Sequence, residues 1–70
     1  MRRDLTAVEE RIAEIEDRIQ VLRAWIDRDR AQGYPTLISG SLLRSFEDTL
    51  SLERRRRIDL IAESGQRRPR

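Results

Sequence analysis

An unbroken row of large apolar residues runs through the first half of the chain: Leu5, Val8, Ile12, Ile15, Ile19, Leu22 and Ile26. The steps between them are 3, 4, 3, 4, 3 and 4 residues. A half-buried strand needs a step of two, so this row cannot be read as a β-strand. It is the a/d seam of a coiled-coil helix, sustained for about three heptads. Leu5, Ile12, Ile19 and Ile26 take the a positions, and Val8, Ile15 and Leu22 take the d positions. Asp29 is the next d, so the seam ends there, and Gly33 supplies a C-terminal cap.

The rest of this helix is polar and carries its charges in a helpful order. Asp4, Glu9 and Glu10 lie near its start and Arg28 and Arg30 near its end, which complements the helix dipole. Glu14 and Arg18 are spaced for an i,i+4 pair. The seam flanks also bear on pairing. In a parallel pair of identical helices Asp4 would face Glu9, Arg11 would face Glu16 and Arg18 would face Arg23; two of the three contacts are like-charged. The e positions run Glu9, Glu16, Arg23, Arg30, acidic first and basic last. That gradient favours an antiparallel neighbour.

The segment Ala31–Thr36 (AQGYPT) is the one strong break. Gly33 can adopt a left-handed conformation, and Pro35 pushes Tyr34 towards an extended one. Thr36 is the preferred N-cap of a second helix, with Ser39 the alternative. Gly40 inside its first turns marks either a loosely formed helix start or a close approach to the first helix. Beyond it Leu43, Phe46, Leu50 and Ile61 share one stripe, with Leu42 and Ile58 at its margins and Arg54 and Arg57 continuing it. Ser64–Gly65 is expected to end this helix. The spacing thus predicts an all-α antiparallel two-helix hairpin over 1–63, with helices over about 4–31 and 36–63, a turn over 32–35, and a disordered basic tail over 64–70.

Burial is the difficulty for such a fold. The chain has 70 residues, of which 37% are hydrophobic and 40% charged. The stripes together hold eleven large apolar side chains. Set against a backbone ordering cost of roughly 1–2 kcal/mol per residue, their burial leaves a net near zero. Self-association is the natural remedy, so the hairpin is expected to dimerise into a four-helix bundle. The side chains expected at the core or oligomer contact are the seven of the first seam together with Leu43, Phe46, Leu50 and Ile61.

The remaining composition narrows the function classes. There is no Cys and no His, which removes disulfides, thiolate metal sites and the commonest general base. The acidic pairs Glu9–Glu10, Asp27–Asp29 and Glu47–Asp48 have no such partner to work with, and a two-helix chain offers no enclosed cavity. No enzyme activity, cofactor or metal is expected. The start MRRDLTAVEE is basic but has no apolar stretch behind it, and no run approaches the ~20 apolar residues that span a bilayer. A cytoplasmic protein that does not engage membranes is the default.

All 15 basic residues are Arg, against 13 acids, and four of them, Arg54, Arg55, Arg56 and Arg57, are consecutive. Successive helix positions turn by about 100°, so these four fan around the helix and cannot form one flat basic face. Glu53 can reach Arg57, Arg55 can reach Asp59, and Arg54 or Arg57 must lie over the apolar stripe with its guanidinium turned to water or to a carboxylate of the first helix. The plain reading is a solvated, salt-bridged turn. The competing one joins the run to Arg67, Arg68 and Arg70 and makes the basic end a contact for nucleic-acid phosphates. From Gln32 onward eight Arg meet five acids, a net of +3. No aromatic residues interleave with them to stack bases. Trp25, at a g position, is expected to cover the core edge or to anchor a partner, and Tyr34 to pack over the hairpin end.

Gly33, Thr36, Leu42, Leu43, Phe46, Thr49, Leu50, the cluster Arg54–Arg57 and Ile61, preceded by RIAEIEDRIQVLRAW, form a pattern. It resembles a group of small alphaproteobacterial helical-hairpin proteins with no known function. The resemblance implies the hairpin and carries no activity with it. Members often have a His in or near the basic cluster; this chain has none, so a role resting on an imidazole does not carry over. The reading is a non-enzymatic helical protein that acts through self-association and contact with other proteins. A nucleic-acid-associated accessory protein is the alternative.

Overall fold

The computed structural model describes the backbone of residues 2–66 and the side chains of residues 3–64. Two α-helices fill it: α1, Arg2–Ala31, and α2, Leu37–Gln66, each of 30 residues. They pack against each other as an antiparallel hairpin, the all-α fold that the sequence predicts. The helices begin and end close to the expected limits except at the far end. Ser64 and Gly65 do not stop α2, which runs on to Gln66, so the tail expected over 64–70 is helical in its first three residues. Arg67, Arg68 and Arg70 lie outside the described residues.

The turn follows from local chemistry. Gly33 is left-handed, with φ of +78°. The Tyr34 N–H donates to the Asp29 carbonyl at 2.8 Å and the Gly33 N–H to the Arg30 carbonyl at 3.2 Å. These are the two bonds of a Schellman motif, and they satisfy carbonyls that the end of α1 would otherwise leave open. Thr36 then holds the N-cap position of α2, its carbonyl accepting from the Gly40 N–H at 2.7 Å.

All seven seam residues of α1 turn inward. Val8, Ile15, Ile19, Leu22 and Ile26 are buried, and Leu5 and Ile12 are half-buried. From α2 only Leu50 is fully buried; it packs with Ile15 and Ile19, and Ile12, Leu43 and Phe46 close around them. Below Leu50 the expected stripe is corrected. Ile61 is 45% exposed, while Leu60 and Glu53 are half-buried. The covered row of α2 is therefore Leu43, Phe46, Leu50, Glu53 and Leu60, and the exposed Arg57 holds the position between the last two in a strict 3–4 alternation. In this register Leu43, Leu50 and Arg57 are a positions, and Phe46, Glu53 and Leu60 are d positions.

The choice between Leu60 and Ile61 is a choice of period. A straight helix of 3.6 residues per turn carries the stripe to Ile61, and a supercoiled pair at 3.5 carries it to Leu60; the two drift apart by about 20° per heptad. Of the two it is Leu60 that is half-buried, while Ile61 is exposed. The resulting body is long and thin, with a radius of gyration of 16.7 Å where a compact chain of this length has about 11 Å.

The two described helix-proximal glycines predict opposite outcomes. At Gly33 an added Cβ meets nothing within 4 Å, so the cost of Gly33→Ala is the left-handed backbone alone, about 1 kcal/mol lost. At Gly40 an added Cβ also meets nothing, so this glycine is not a close-approach device. Gly40→Ala gains about 0.5–1 kcal/mol of helix propensity. Urea unfolding of both variants checks the two signs in one experiment.

Candidate functional site

No enclosed site exists among the described residues, and no group of His, Cys, Asp or Glu there could hold a metal ion. Open grooves run along the line where the helices meet, and another lies on the first turns of α2 alone. What the fold does build is two flanks of different chemistry, one on each side of the seam.

The e flank is charged. Arg54 Nη2 donates to Glu16 Oε2 at 2.9 Å, Arg23 Nη2 to Glu47 Oε2 at 2.8 Å, and Arg57 Nε to Glu9 Oε2 at 3.2 Å. Glu9, Glu16 and Arg23 are the successive e positions of α1, whose acidic-to-basic gradient pointed to an antiparallel neighbour. That neighbour is α2 of the same chain. These side chains are close to half exposed, so each pair contributes only a few tenths of a kcal/mol to about 1 kcal/mol.

The arginine run is thereby divided. Arg54 and Arg57 both reach carboxylates of α1, as the geometry of the stripe required of at least one. Arg55 pairs with Asp59 at 3.5 Å, the expected i,i+4 contact. Among the described residues Arg56 forms no ion pair. Glu53 does not reach for Arg57. It lies at a d position of α2 with only 13% of its side chain exposed and accepts from Arg11 Nη1 at 3.1 Å. Its other oxygen, Oε2, is buried without a hydrogen-bond partner. Sequence reasoning placed no carboxylate in the seam. Extending the 43–46–50 register by whole heptads would have found it.

The g flank is apolar near the turn. Val21 and Trp25, one helical turn apart on α1, line a shallow groove with Leu22 and with Phe46 of α2. Asp17 and Arg18 form its rim. Val21 is 50% exposed and Trp25 56%, so the tryptophan does not cover the core edge. Leu42, one turn before Phe46, is 48% exposed on the same side. Tyr34 is 59% exposed and does not close the hairpin end. Smaller apolar surface lies on the e side, where Ile58 borders a groove with Ile12 and Ala13, ringed by Glu9, Glu16, Arg54 and Arg57.

Of the residues expected at the contact, ten belong to the intrachain seam and Ile61 stands outside it. Of those expected to touch nucleic acid, Arg54 to Arg57 do not share a face. Comparison with protein-family models, with curated proteins and with solved structures finds no match for this chain.

The seam arginine and the solvated one are separable. Arg57→Ala removes both the stem that fills an a position and the Glu9 pair, and is expected to cost about 1 kcal/mol or more. Arg56→Ala, which removes neither, stays within about 0.5 kcal/mol of the parent. Glu53→Leu, which fills a d position and relieves the buried oxygen, leaves stability unchanged or raises it, by about 1 kcal/mol or more where the leucine packs well. Chemical denaturation at neutral pH ranks the three.

Proposed function

We propose that this chain is a non-enzymatic interaction protein whose working form is a self-associated hairpin, with two copies completing a four-helix bundle. The observation that carries the reading is apolar surface left in water. Six side chains form the buried core, none of them less than 3% exposed, while nine large apolar ones are 45% or more exposed. The last group includes Val21, Trp25, Leu37, Ile38 and Leu42, all toward the turn end.

Area gives the same reading. The chain exposes 6159 Å², whereas a compact monomer of 8.3 kDa exposes about 4,600 Å². Contiguous apolar surface beyond a few hundred Å² marks an interaction site in most proteins. No helix among the described residues is long and apolar enough to cross a membrane, which makes another protein surface the natural cover for these side chains. The nucleic-acid alternative has less to work with, because Arg54 and Arg57 are engaged with α1.

Sedimentation equilibrium from low to high micromolar at near-physiological salt tests the reading. A mass of twice the chain or more is expected across the upper part of that range. A monomer throughout would remove self-association as the function and direct attention to other partners, with a nucleic-acid titration at low salt first.

A further inference from the structure

The self-association just proposed leaves open which face of the hairpin it uses, and the two flanks make very different interfaces. Stacking on the e flank would take Glu9–Arg57, Glu16–Arg54 and Arg23–Glu47 out of water. Desolvating ion pairs costs about as much as their attraction returns, and three at once is a poor foundation for a contact. The g flank carries the groove of Val21, Leu22, Trp25 and Phe46 with Leu42 beside it, and there an apolar cover is favourable.

Resting on that reading, we propose that two copies of this chain dock g flank to g flank about a two-fold axis running along the hairpin. α1 of each copy then lies on α2 of the other, with Glu14 of one set against Arg56 of its twin. The register follows from the chain itself. The four interhelix ion pairs total 64 for Arg11–Glu53, 66 for Glu9–Arg57 and 70 for both Glu16–Arg54 and Arg23–Glu47, so residues at equal height have numbers that total between 64 and 70. A two-fold along the hairpin preserves height while exchanging α1 for α2 across the interface. A position n of α1 on the g flank therefore lies within about 9 Å, along the axis, of position 70 − n of α2 in the other copy.

Applied to the c and g positions, that rule brings together groups that suit one another. Trp25 meets Ser45 with Leu42 one turn away, Val21 meets Thr49, and the Arg18 stem meets Leu52. Glu14 comes within side-chain reach of Arg56, whereas Arg11 and Asp59 on the same flank are already paired within the chain, with Glu53 and Arg55. Among the described residues neither Glu14 nor Arg56 has an ion-pair partner in its own chain, so the contact gives each one. An isologous interface makes every such contact twice, so the Glu14–Arg56 pair occurs at one height on either side of the axis.

The area is adequate. A helix of 30 residues is about 45 Å long, and two side by side are about 20 Å wide. One flank is thus roughly 900 Å², and two together remove about 1,800 Å², within the roughly 1,200–2,000 Å² of a specific interface.

Charge reversal tests the pairing directly. The parent, Glu14→Arg, Arg56→Glu and the double variant would be compared by sedimentation equilibrium, with helicity by circular dichroism as the check on folding. Neither side chain forms an ion pair within the chain, so each variant should remain a hairpin. Each single reversal is expected to weaken the dimer at least tenfold, and the double variant to recover to within about threefold of the parent. Leu42→Glu, on the same flank, should weaken it at least tenfold, whereas Ile58→Glu on the e flank should leave it within twofold. Trp25 emission should shift to shorter wavelength as the parent associates. A parent that dimerises with single reversals and Leu42→Glu indistinguishable from it would overturn the face while self-association stood. Dimerisation abolished by Ile58→Glu alone would place the interface on the e flank. A parent monomeric throughout would overturn both readings.

Discussion

Two helices can hide only one face of each other. Every other feature of this chain follows from that limit. A third or fourth helix would let each element bury a broad stripe, but a lone pair has a single seam one side chain deep, and even the best-covered residue keeps contact with solvent. The a/d row of α1 is the stronger half of the seam, apolar at seven successive positions. α2 answers with Leu43, Phe46 and Leu50 and then runs out of apolar residues. Glu53 and Arg57 take the following two positions before Leu60 resumes the row. The hairpin is well packed around Ile15, Ile19 and Leu50 and held by charge towards its open end.

That handover from apolar to charged explains what the arginine run does. Four consecutive helix residues point in four directions, so the run is not one feature. Arg57 fills a seam position, Arg54 lies beside it on the e flank, Arg55 turns to its own helix, and Arg56 points away. Arginine suits all these places. Its long aliphatic stem covers apolar surface, and its guanidinium reaches across to the facing helix and offers donors in a fixed fork.

Much of this was legible in the residues, and the parts that were not share one physical cause. The α1 seam, the left-handed cap at Gly33 and the N-cap at Thr36 are local signals: a periodicity and two residues with strong conformational preferences. The antiparallel neighbour was foreshadowed by the order of charges at Glu9, Glu16 and Arg23. Three things depended instead on what α2 packs against. Leu60 rather than Ile61 faces inward because α2 lies along the seven-residue repeat of α1. Glu53 enters the seam for the same reason, and its pairing with Arg11 displaces the local Glu53–Arg57 contact that spacing alone suggests. Gly65 is a helix stopper only when it adopts a left-handed conformation, and here the backbone stays helical through it. Trp25 is the converse case: its g position promised cover for the core, but Phe46 opposite does not reach far enough to close the groove between them.

A seam that repeats every seven residues cannot fix its own register, since sliding one helix by a heptad returns apolar to apolar. The e flank removes that freedom. In the native register both e-to-e contacts are attractive, Glu16 with Arg54 and Arg23 with Glu47. A slip of one heptad in one direction sets Arg54 against Arg23, and a slip in the other sets Glu47 against Glu16. Each slipped register therefore acquires a like-charged contact in place of an attractive one, a penalty that falls on the alternatives rather than on the native state. The buried Oε2 of Glu53 belongs to the same economy of design: a leucine there would hold the helices together at least as well, but it would add another apolar rung to a repeat that is already indifferent to sliding. The short turn closes the intramolecular pairing at a high effective concentration, so α1 meets α2 before it meets another α1. Charge order on one flank thus bears on how the two helices pair, and leaves the turn half of the opposite flank, with Val21, Trp25 and Leu42, free of any such duty within the chain, Arg11 with Glu53 being the pair toward its open end.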